Sequence, residues 1–590
     1  MELKEQLGST TSLHSDSQNH TVATAEPALI NGSHAVIQSL IAEGVDTIFG
    51  YPGGAIMPVY DALYDYTDQV NHILVRHEQG AGHAAEGYAR LSGKVGVCLV
   101  TSGPGATNLV TAIADAIIDS TPMVCVIGQV AKHLLGTDAF QETDVMGVTM
   151  PITKWNYQVT SADEIPEVMA KAFYIARSGR PGPVLIDITK NAQMELMSKP
   201  FSYKRCETLI SYRPRVVPKQ EQLEKAAELI NAAKKPFLLF GHGIQISGAE
   251  KVLEAFVEKT GIPCASTLLG LSSVAVDHPL YMGWLGMHGN YGTNVLTNQC
   301  DLIIGIGLRF DDRVTGDASR YAKQAKIIHV DIDPSEIDKI VKADAPVIGD
   351  ARLVLEKLLP MVNEGSFPEW IAEFEKYAKL EDEQITQPEL SATTEKIKMA
   401  EVIRGLSNKT NGQAVIVADV GQHQMMTARY YQFKRPNSFI TSGGLGTMGY
   451  ALPAAFGAKV GDPSRDVYTI IGDGCFQMTI QELGTIAQSK LPVKIIILNN
   501  NFLGMVRQWQ QLFHQKRYSF VELENPDFIT IARGFGIDGH RCTSREELSD
   551  SLDQLIASDK PYLLEVVVEK EENVFPMVPA GACVSDIRLK

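Results

Sequence analysis

Val467-Tyr468-Thr469-Ile470-Ile471-Gly472-Asp473-Gly474 and Val493-Lys494-Ile495-Ile496-Ile497-Leu498-Asn499-Asn500-Asn501 decide the reading of this chain. Each is a short, β-branched apolar run that closes on small or oxygen-bearing residues, the pattern of a strand covered on both faces. Asn500 lies 27 residues after Asp473, which leaves room for a helical crossover between two parallel strands. A carboxylate at one strand end and an amide oxygen at the next can converge on one hard cation, which takes oxygen ligands. Gly472 and Gly474 let backbone N–H groups approach a phosphate anion at a helix N-terminus. A Gly-Asp-Gly triplet alone is a common turn; paired with Asn-Asn on the next strand end it is specific.

Outward from this pair the alternation continues. Val95–Val100, Met123–Ile127, Val184–Ile188, Phe237–Phe240, Leu302–Ile306, Ile327–Ile332, Val415–Ala418 and Tyr562–Val568 are further apolar runs, separated by amphipathic stretches of helical length. Such alternation predicts parallel α/β sheets. Breaks near 195–220 and 366–395 divide the chain into three α/β domains, 31–195, 217–365 and 390–570, the first and third of similar size. The polar, Ser/Thr-rich residues 1–30 read as a disordered tail and 571–590 as a C-terminal tail. Asp333-Pro334-Ser335-Glu336 predicts a helix start, with an N-cap acid and Pro at the first helical position. Gly103-Pro104-Gly105 precedes a helical Ala106–Ile118.

Composition narrows the function. The net charge is −16 (53 basic against 69 acidic residues) without long single-sign blocks, so there is no nucleic-acid footprint. No apolar run approaches the roughly 20 residues that cross a bilayer, so no membrane partner is expected. Eight scattered cysteines without a C-x-x-C pair read as buried thiols in a reducing compartment. The first 30 residues lack a secretory core and, carrying acids but no arginine, do not resemble a transit peptide. The expected location is a bacterial cytoplasm, or the stroma of a plastid whose genome encodes the chain.

The strand-end pair resembles the magnesium–diphosphate motif of thiamine diphosphate enzymes. Beside such a motif Arg76-His77-Glu78-Gln79, otherwise a surface helix start, changes meaning. A thiamine enzyme needs a carboxyl group at the cofactor's pyrimidine N1′, so that the aminopyrimidine can take a proton from the thiazolium carbon. Glu78, supplied across a dimer interface, is the candidate. Gly443-Gly444-Leu445-Gly446-Thr447-Met448-Gly449 reads as a Gly-rich turn before a helix, or as a loop whose Gly446 carbonyl meets the 4′-amino group with Met448 wedged beneath the cofactor. Asp419-Val420-Gly421-Gln422-His423-Gln424 follows a strand and can meet the diphosphate; by itself His423 reads as a structural histidine.

Tyr51-Pro52-Gly53-Gly54, Arg76-His77-Glu78-Gln79-Gly80, Ala139-Phe140-Gln141-Glu142, Ser178-Gly179-Arg180-Pro181-Gly182-Pro183, Gly286-Met287-His288-Gly289, Arg309-Phe310-Asp311-Asp312-Arg313 and Gly504-Met505-Val506-Arg507-Gln508-Trp509 occur in that order. With them the chain, from about 31 to its C-terminus, resembles the catalytic large subunits of the acetohydroxyacid synthase (acetolactate synthase) family. The resemblance implies pyrimidine-binding, central FAD-binding and diphosphate-binding domains, with thiamine diphosphate, Mg2+ and an FAD that undergoes no net redox turnover. It implies decarboxylation of pyruvate and ligation of the two-carbon unit to a second pyruvate or to 2-ketobutyrate, a step of branched-chain amino-acid biosynthesis. A homodimer or higher oligomer with shared sites, and a regulatory small subunit, are implied as well.

Residue by residue, the resemblance assigns the metal to Asp473, Asn500 and the Phe502 carbonyl. It assigns thiamine diphosphate to Glu78, Gly421, Gln422, His423, Gly446, Met448, Gly472, Gly474 and Cys475. Gly53, Phe140 and Gln141 should face the reacting carbons, with Lys190 near the substrate channel. For FAD it points to Arg180, Gly241, Gly243, His288, Arg309, Asp331 and Asp350, although Gly241-His242-Gly243 is no full G-x-G-x-x-G and Asp331 also reads as a plain strand-end acid. The acceptor side would comprise Met287, Arg313, Met505 and Trp509. A guanidinium can hold the acceptor carboxylate bidentately, yet Arg313 reads equally as an ion pair with Asp311 or Asp312. Trp509 is otherwise a core aromatic. Ala131 stands where the family commonly has proline, which bears on channel shape. The rivals are a flavin-linked pyruvate oxidase, another thiamine-dependent carboligase such as glyoxylate carboligase (whose pattern lacks the glutamate at 78), a 2-ketoacid decarboxylase (for which a paired His-His is missing) and an inactive binding homologue.

Overall fold

The structure, a computed structural model, describes residues 29–590 apart from Arg215, so the tail expected at the N-terminus lies almost wholly outside the described residues. Strands assemble into three six-stranded, parallel sheets, as the apolar alternation predicts. The first contains Thr47–Gly50, Asn71–Leu74, Gly96–Val100, Met123–Gln129, Trp155–Val159 and Pro183–Thr189; numbered within the sheet, the spatial order is 2-1-3-4-6-5. Val415–Ala418, Phe439–Ile440, Val467–Gly472, Lys494–Asn499, Asp538–Cys542 and Tyr562–Val567 form the third sheet in the same order, so the outer domains share one topology. The middle sheet, Pro236–Phe240, Cys264–Ser266, Tyr281–Trp284, Leu302–Ile306, Lys326–Asp331 and Ala345–Ile348, is ordered 3-2-1-4-5-6, the dinucleotide-binding order.

Register places the opening pair. Gly472 lies beside Leu498 in adjacent parallel strands, so Asp473 and Asn500 leave neighbouring strand ends on the same edge. That edge is where strand order reverses, between Val415–Ala418 and Val467–Gly472, and open α/β sheets bind ligands at such points.

The outer domains share a core. Helix Glu78–Ser92 lies against helix Ala451–Gly461, and one apolar cluster runs from Phe49 and Val100 to Ile471 and Ile497. Residues 571–590 fold back over the middle domain. Val574, Met577, Val578, Cys583 and Val584 are buried, and the Val578 N–H donates to the Met287 carbonyl at 2.7 Å. All eight cysteines are free, and all but Cys206 are buried.

Two local expectations need correction. Asp333 does accept from the Ser335 N–H and hydroxyl, at 2.9 and 2.7 Å, but the chain continues in turns rather than a helix. Two tertiary contacts override the start signal: Glu336 is drawn into a 2.8 Å ion pair with Arg180, and Asp338 adopts φ 62° while accepting from the Ala343 N–H. The helical stretch 106–118 is two helices, Pro104–Asn108 and Val110–Ile118, offset at Leu109.

Candidate active site

A small cleft opens at the carboxyl edge of the third sheet, lined by Gly421, Gln422, His423, Met448, Gly472, Asp473, Gly474, Cys475, Asn500 and Phe502. Helices Gln422–Tyr430 and Asp473–Met478 both begin here. Gly421 has φ 152°, and a Cβ there or on Gly472 would sit within 3 Å of the His423 ring, so both glycines make room for the imidazole. His423 Nε2 and Gln422 Oε1 are buried without partners. Burial lowers the His423 pKa to about 3, so the ring stays neutral and its N–H is a donor. Unpaired buried polar atoms are costly unless a ligand meets them. Their presence around buried Asp473 and Asn500 fits a diphosphate–metal group.

Asp473 is held by a residue that sequence reading missed. Asn525 Nδ2 donates to Asp473 Oδ2 at 2.6 Å and to Asn499 Oδ1 at 2.9 Å, bridging the two strand ends. Burial raises the Asp473 pKa to about 6, partly countered by that hydrogen bond. Asn500 Oδ1 accepts from the Phe502 N–H at 3.1 Å, which orients the loop carrying the Phe502 carbonyl. Asp419 is saturated by the N–H groups of Val420, Gly449 and Ala451, so it braces the Gly-rich loop. The Cys475 thiol donates to the Val420 carbonyl at 3.2 Å.

The Gly443–Gly449 loop has two uses for its glycines. Gly443 and Gly444 donate to the Asp119 carboxylate at 2.8 and 2.7 Å, and a Cβ on Gly444 would lie 1.9 Å from Ile118. Gly444 is small because Ile118 of the first domain presses on it, and Gly443 because a Cβ there would meet the Leu269 side chain of the middle domain at 2.5 Å. Gly446 instead has φ 75°, with only the Val420 side chain, at 3.9 Å, near a Cβ there, a left-handed turn that presents its carbonyl. Ser442 Oγ accepts from the Gly446 and Thr447 N–H groups and locks this shape.

Met448 and Met505 line both this cleft and a cavity of about 1410 Å³ that extends across the middle domain. It brings together Arg180, Gly241, Gly243, Met287, His288, Arg309, Arg313, Asp331, Asp350, Gly446, Met448, Met505 and Trp509. The cavity opens at the switch point of the middle sheet, where Gly241 and Gly307 end adjacent strands. Gly241 and Gly243 serve chain packing: a Cβ on either would strike the Gly307 backbone at 2.4 or 2.6 Å. Asp331, buried at its strand end, has its pKa raised to about 7 by desolvation. His288 is buried with Nδ1 unpartnered, and burial lowers its pKa to about 4. Arg180 also ties domains together, meeting Glu336 and Ser120, while Asp350 caps helix Ala351–Leu358. The Arg313 guanidinium is 63% exposed, 3.7 Å from Asp312 and 3.8 Å from Met287 Sδ, a loose pairing that leaves it available. Trp509 stacks obliquely on Phe513 at 4.9 Å.

Five assigned residues, Gly53, Glu78, Phe140, Gln141 and Lys190, line neither the cleft nor the cavity. They emerge instead at the carboxyl edge of the first sheet. Glu78 opens helix Glu78–Ser92, and its Oε2 accepts from Asn108 Nδ2 at 2.9 Å. Gly53 lies against Thr101, where a Cβ would come within 2.6 Å. Gln141 has φ 60° and its backbone packs on Gly103, and Phe140 is 89% exposed. Asn108, inside an unremarkable polar helix turn, gave no sequence signal.

Models of the thiamine pyrophosphate enzymes match the chain in order: the N-terminal TPP binding domain over 30–148, the central domain over 223–358 and the C-terminal TPP binding domain over 419–566. The chain is 47% identical to the acetolactate synthase large subunit of Corynebacterium glutamicum, over 96% of this chain and 91% of that protein. It is 45% identical to the acetolactate synthase isozyme 2 large subunit of Escherichia coli, over 95% and 99%. The probable acetolactate synthase large subunit of Methanocaldococcus jannaschii is 46% identical, over 95% of each. The chain belongs to the acetolactate synthase large-subunit family of thiamine pyrophosphate enzymes, and is a thiamine diphosphate-dependent carboligase. Among the described residues no helix is long and apolar enough to cross a membrane.

Proposed function

We propose that the chain condenses two 2-ketoacids, decarboxylating pyruvate and joining its two-carbon unit to pyruvate or 2-ketobutyrate, with Mg2+ and FAD besides thiamine diphosphate. One observation carries this reading: the cleft around Asp473 and Asn500 shares Met448 and Met505 with a cavity of about 1410 Å³ that Arg313 and Trp509 also line. A simple decarboxylase has no use for such a second room.

When bound, thiamine diphosphate supplies the carbon acid on which decarboxylation and ligation take place. Asp473, Asn500 and the Phe502 carbonyl would hold Mg2+, while Gly421, Gln422, His423, Gly472, Gly474 and Cys475 surround the diphosphate. The Gly446 carbonyl orients the aminopyrimidine and Met448 supports it from below. Glu78 holds the proton at pyrimidine N1′. Because Glu78, Gly53, Phe140, Gln141 and Lys190 do not line their own chain's cleft, a second copy supplies them, and the exposed Phe140, Tyr51 and Met57 mark that contact. Arg313 receives the acceptor carboxylate and Trp509 closes over its alkyl end. Arg180, Gly241, Gly243, His288, Arg309, Asp331 and Asp350 would hold FAD in the middle cavity. Curated relatives are named large subunits, which supports a smaller regulatory partner.

The test supplies pyruvate, inorganic phosphate, thiamine diphosphate, Mg2+ and FAD in air and identifies the product. Acetolactate is expected; acetaldehyde alone, or acetyl phosphate with flavin reduction, would overturn the carboligase reading.

A further inference from the structure

Glu482 is a fully buried carboxylate in the C-terminal domain, 406 positions from the residue it holds. The Arg76 N–H donates to both its oxygens, at 3.1 and 3.3 Å, and the His77 N–H faces the same carboxylate. These N–H groups belong to the two residues immediately before Glu78. His77 is the N-cap of helix Glu78–Ser92, with its Nδ1 accepting from the Gln79 N–H. The direction in which Glu78 leaves the backbone is therefore set by a segment that the other domain grips.

The surroundings are built for this grip. Thr485 Oγ1 donates to Glu482 Oε2 at 2.6 Å. The Arg76 guanidinium reaches the same helix, donating to the Gly484 carbonyl at 3.2 Å and to Gln488 Oε1 at 2.6 Å. A Cβ on Gly80 would stand 2.6 Å from Glu482 Oε1, and one on Gly484 2.9 Å from Arg76 Nε, so both glycines clear space for these side chains. A carboxylate facing the start of a helix also meets the positive end of its dipole. Burial nonetheless raises the Glu482 pKa to about 7, a cost that an ordinary apolar interdomain contact would avoid.

We propose that Glu482 is a positioning residue for Glu78, fixing through the peptide groups of Arg76 and His77 the geometry with which Glu78 meets the cofactor's pyrimidine. This rests on the reading of Glu78 given above. Glu78 is then clamped from two sides, by Asn108 on its carboxylate and by Glu482 on its backbone. Since each chain lends Glu78 to a site it does not otherwise form, the clamp lets one chain's diphosphate domain set geometry in its neighbour's site.

The experiment compares wild type, Glu482→Ala, Glu482→Gln and Glu78→Gln in two measurements. The first, in the full enzyme loaded with thiamine diphosphate and Mg2+, is the hydrogen–deuterium exchange rate at the thiazolium carbon, read by NMR after acid quench. The second is amide exchange of the 70–82 peptide in the chain without cofactor. Glu482→Ala should slow thiazolium exchange by about tenfold to a hundredfold, the effect of a small misplacement, with the pyruvate KM little changed. It should speed amide exchange at Arg76 and His77 by about tenfold, as one lost hydrogen bond does. Glu482→Gln keeps one acceptor oxygen and should recover most of both. Wild-type thiazolium exchange in Glu482→Ala, alongside its collapse in Glu78→Gln, overturns the proposal and leaves the Glu78 reading standing. Wild-type exchange in Glu78→Gln removes the reading itself. If Glu482→Ala does not fold, Gly80→Ala decides: its methyl group displaces the carboxylate from a helix that alanine favours, and it must slow thiazolium exchange.

Discussion

Gly457 and Ala84 touch backbone to backbone: a Cβ on Gly457 would lie 1.9 Å from the Ala84 carbonyl oxygen. The contact is reciprocal, because a Cβ on Gly87 would lie 2.0 Å from the Ala454 carbonyl oxygen. Two helices that begin near catalytic loops, Glu78–Ser92 and Ala451–Gly461, thus cross at a separation only glycine permits. Alanine in a helix interior normally gains about 0.5–1 kcal/mol over glycine. Here overpacking reverses the sign, and Gly457→Ala should destabilise by about 1–3 kcal/mol or more. Denaturant unfolding decides between the two; a stabilised variant would refute the close approach.

Asn525 should matter to metal affinity although it is no assigned ligand. Its amide bridges Asp473 Oδ2 and Asn499 Oδ1, fixing the carboxylate between two strand ends. Loss of an orienting partner of this kind typically costs about 10–100-fold in metal affinity. Asn525→Ala should therefore raise the Mg2+ concentration for half-maximal activity by at least about tenfold after chelator treatment. An unchanged Mg2+ titration would count against Asp473 as a ligand.

The same contrast between strand ends and partners marks what the sequence could tell. Interior strands such as Lys494–Asn499 and Val467–Gly472 are buried along their whole length, so they read as unbroken apolar runs. Edge strands do not: Asn71–Leu74 and Asp538–Cys542 mix exposed, half-buried and buried positions, and their runs carried no comparable signal. The site was legible where chemistry and local geometry coincide, at Asp473, Asn500 and the Gly446 turn. It was opaque where function depends on contacts between residues tens to hundreds of positions apart. Nothing near Asn525 or Glu482 announces a partner, because the partner is brought by tertiary packing. Nor could spacing show that Gly443 is small for Leu269 and Gly444 for Ile118 rather than for a cofactor.

Trp509 lines the cavity beside Met505 and leans on Phe513. If it closes over the alkyl end of the acceptor, Trp509→Leu should shift the product ratio toward acetolactate when pyruvate and 2-ketobutyrate compete. One methylene in such a pocket discriminates by about 1–3 kcal/mol, so a change of about tenfold or more is expected. Equal ratios in wild type and variant would return Trp509 to a packing role.

Glu482 makes the stability of the chain depend on pH in a definite direction. Its pKa rises from 4.5 to about 7 on folding, chiefly by burial, with Arg76 the cation acting against the shift. A raised carboxyl pKa means the folded state holds a proton that the unfolded state has released. The contribution is complete below pH 4.5 and is lost as pH rises to about 7. Glutamine at this position cannot titrate. Relative to wild type, Glu482→Gln should gain roughly 1.4 kcal/mol per pH unit across that window, reaching about 3 kcal/mol and then levelling off. Urea unfolding of both proteins at pH 5, 6, 7 and 8 measures the difference directly. A gap that stays constant with pH would show that Glu482 titrates normally, whereas a gap that widens to neutrality means a buried carboxylate kept at a stability cost.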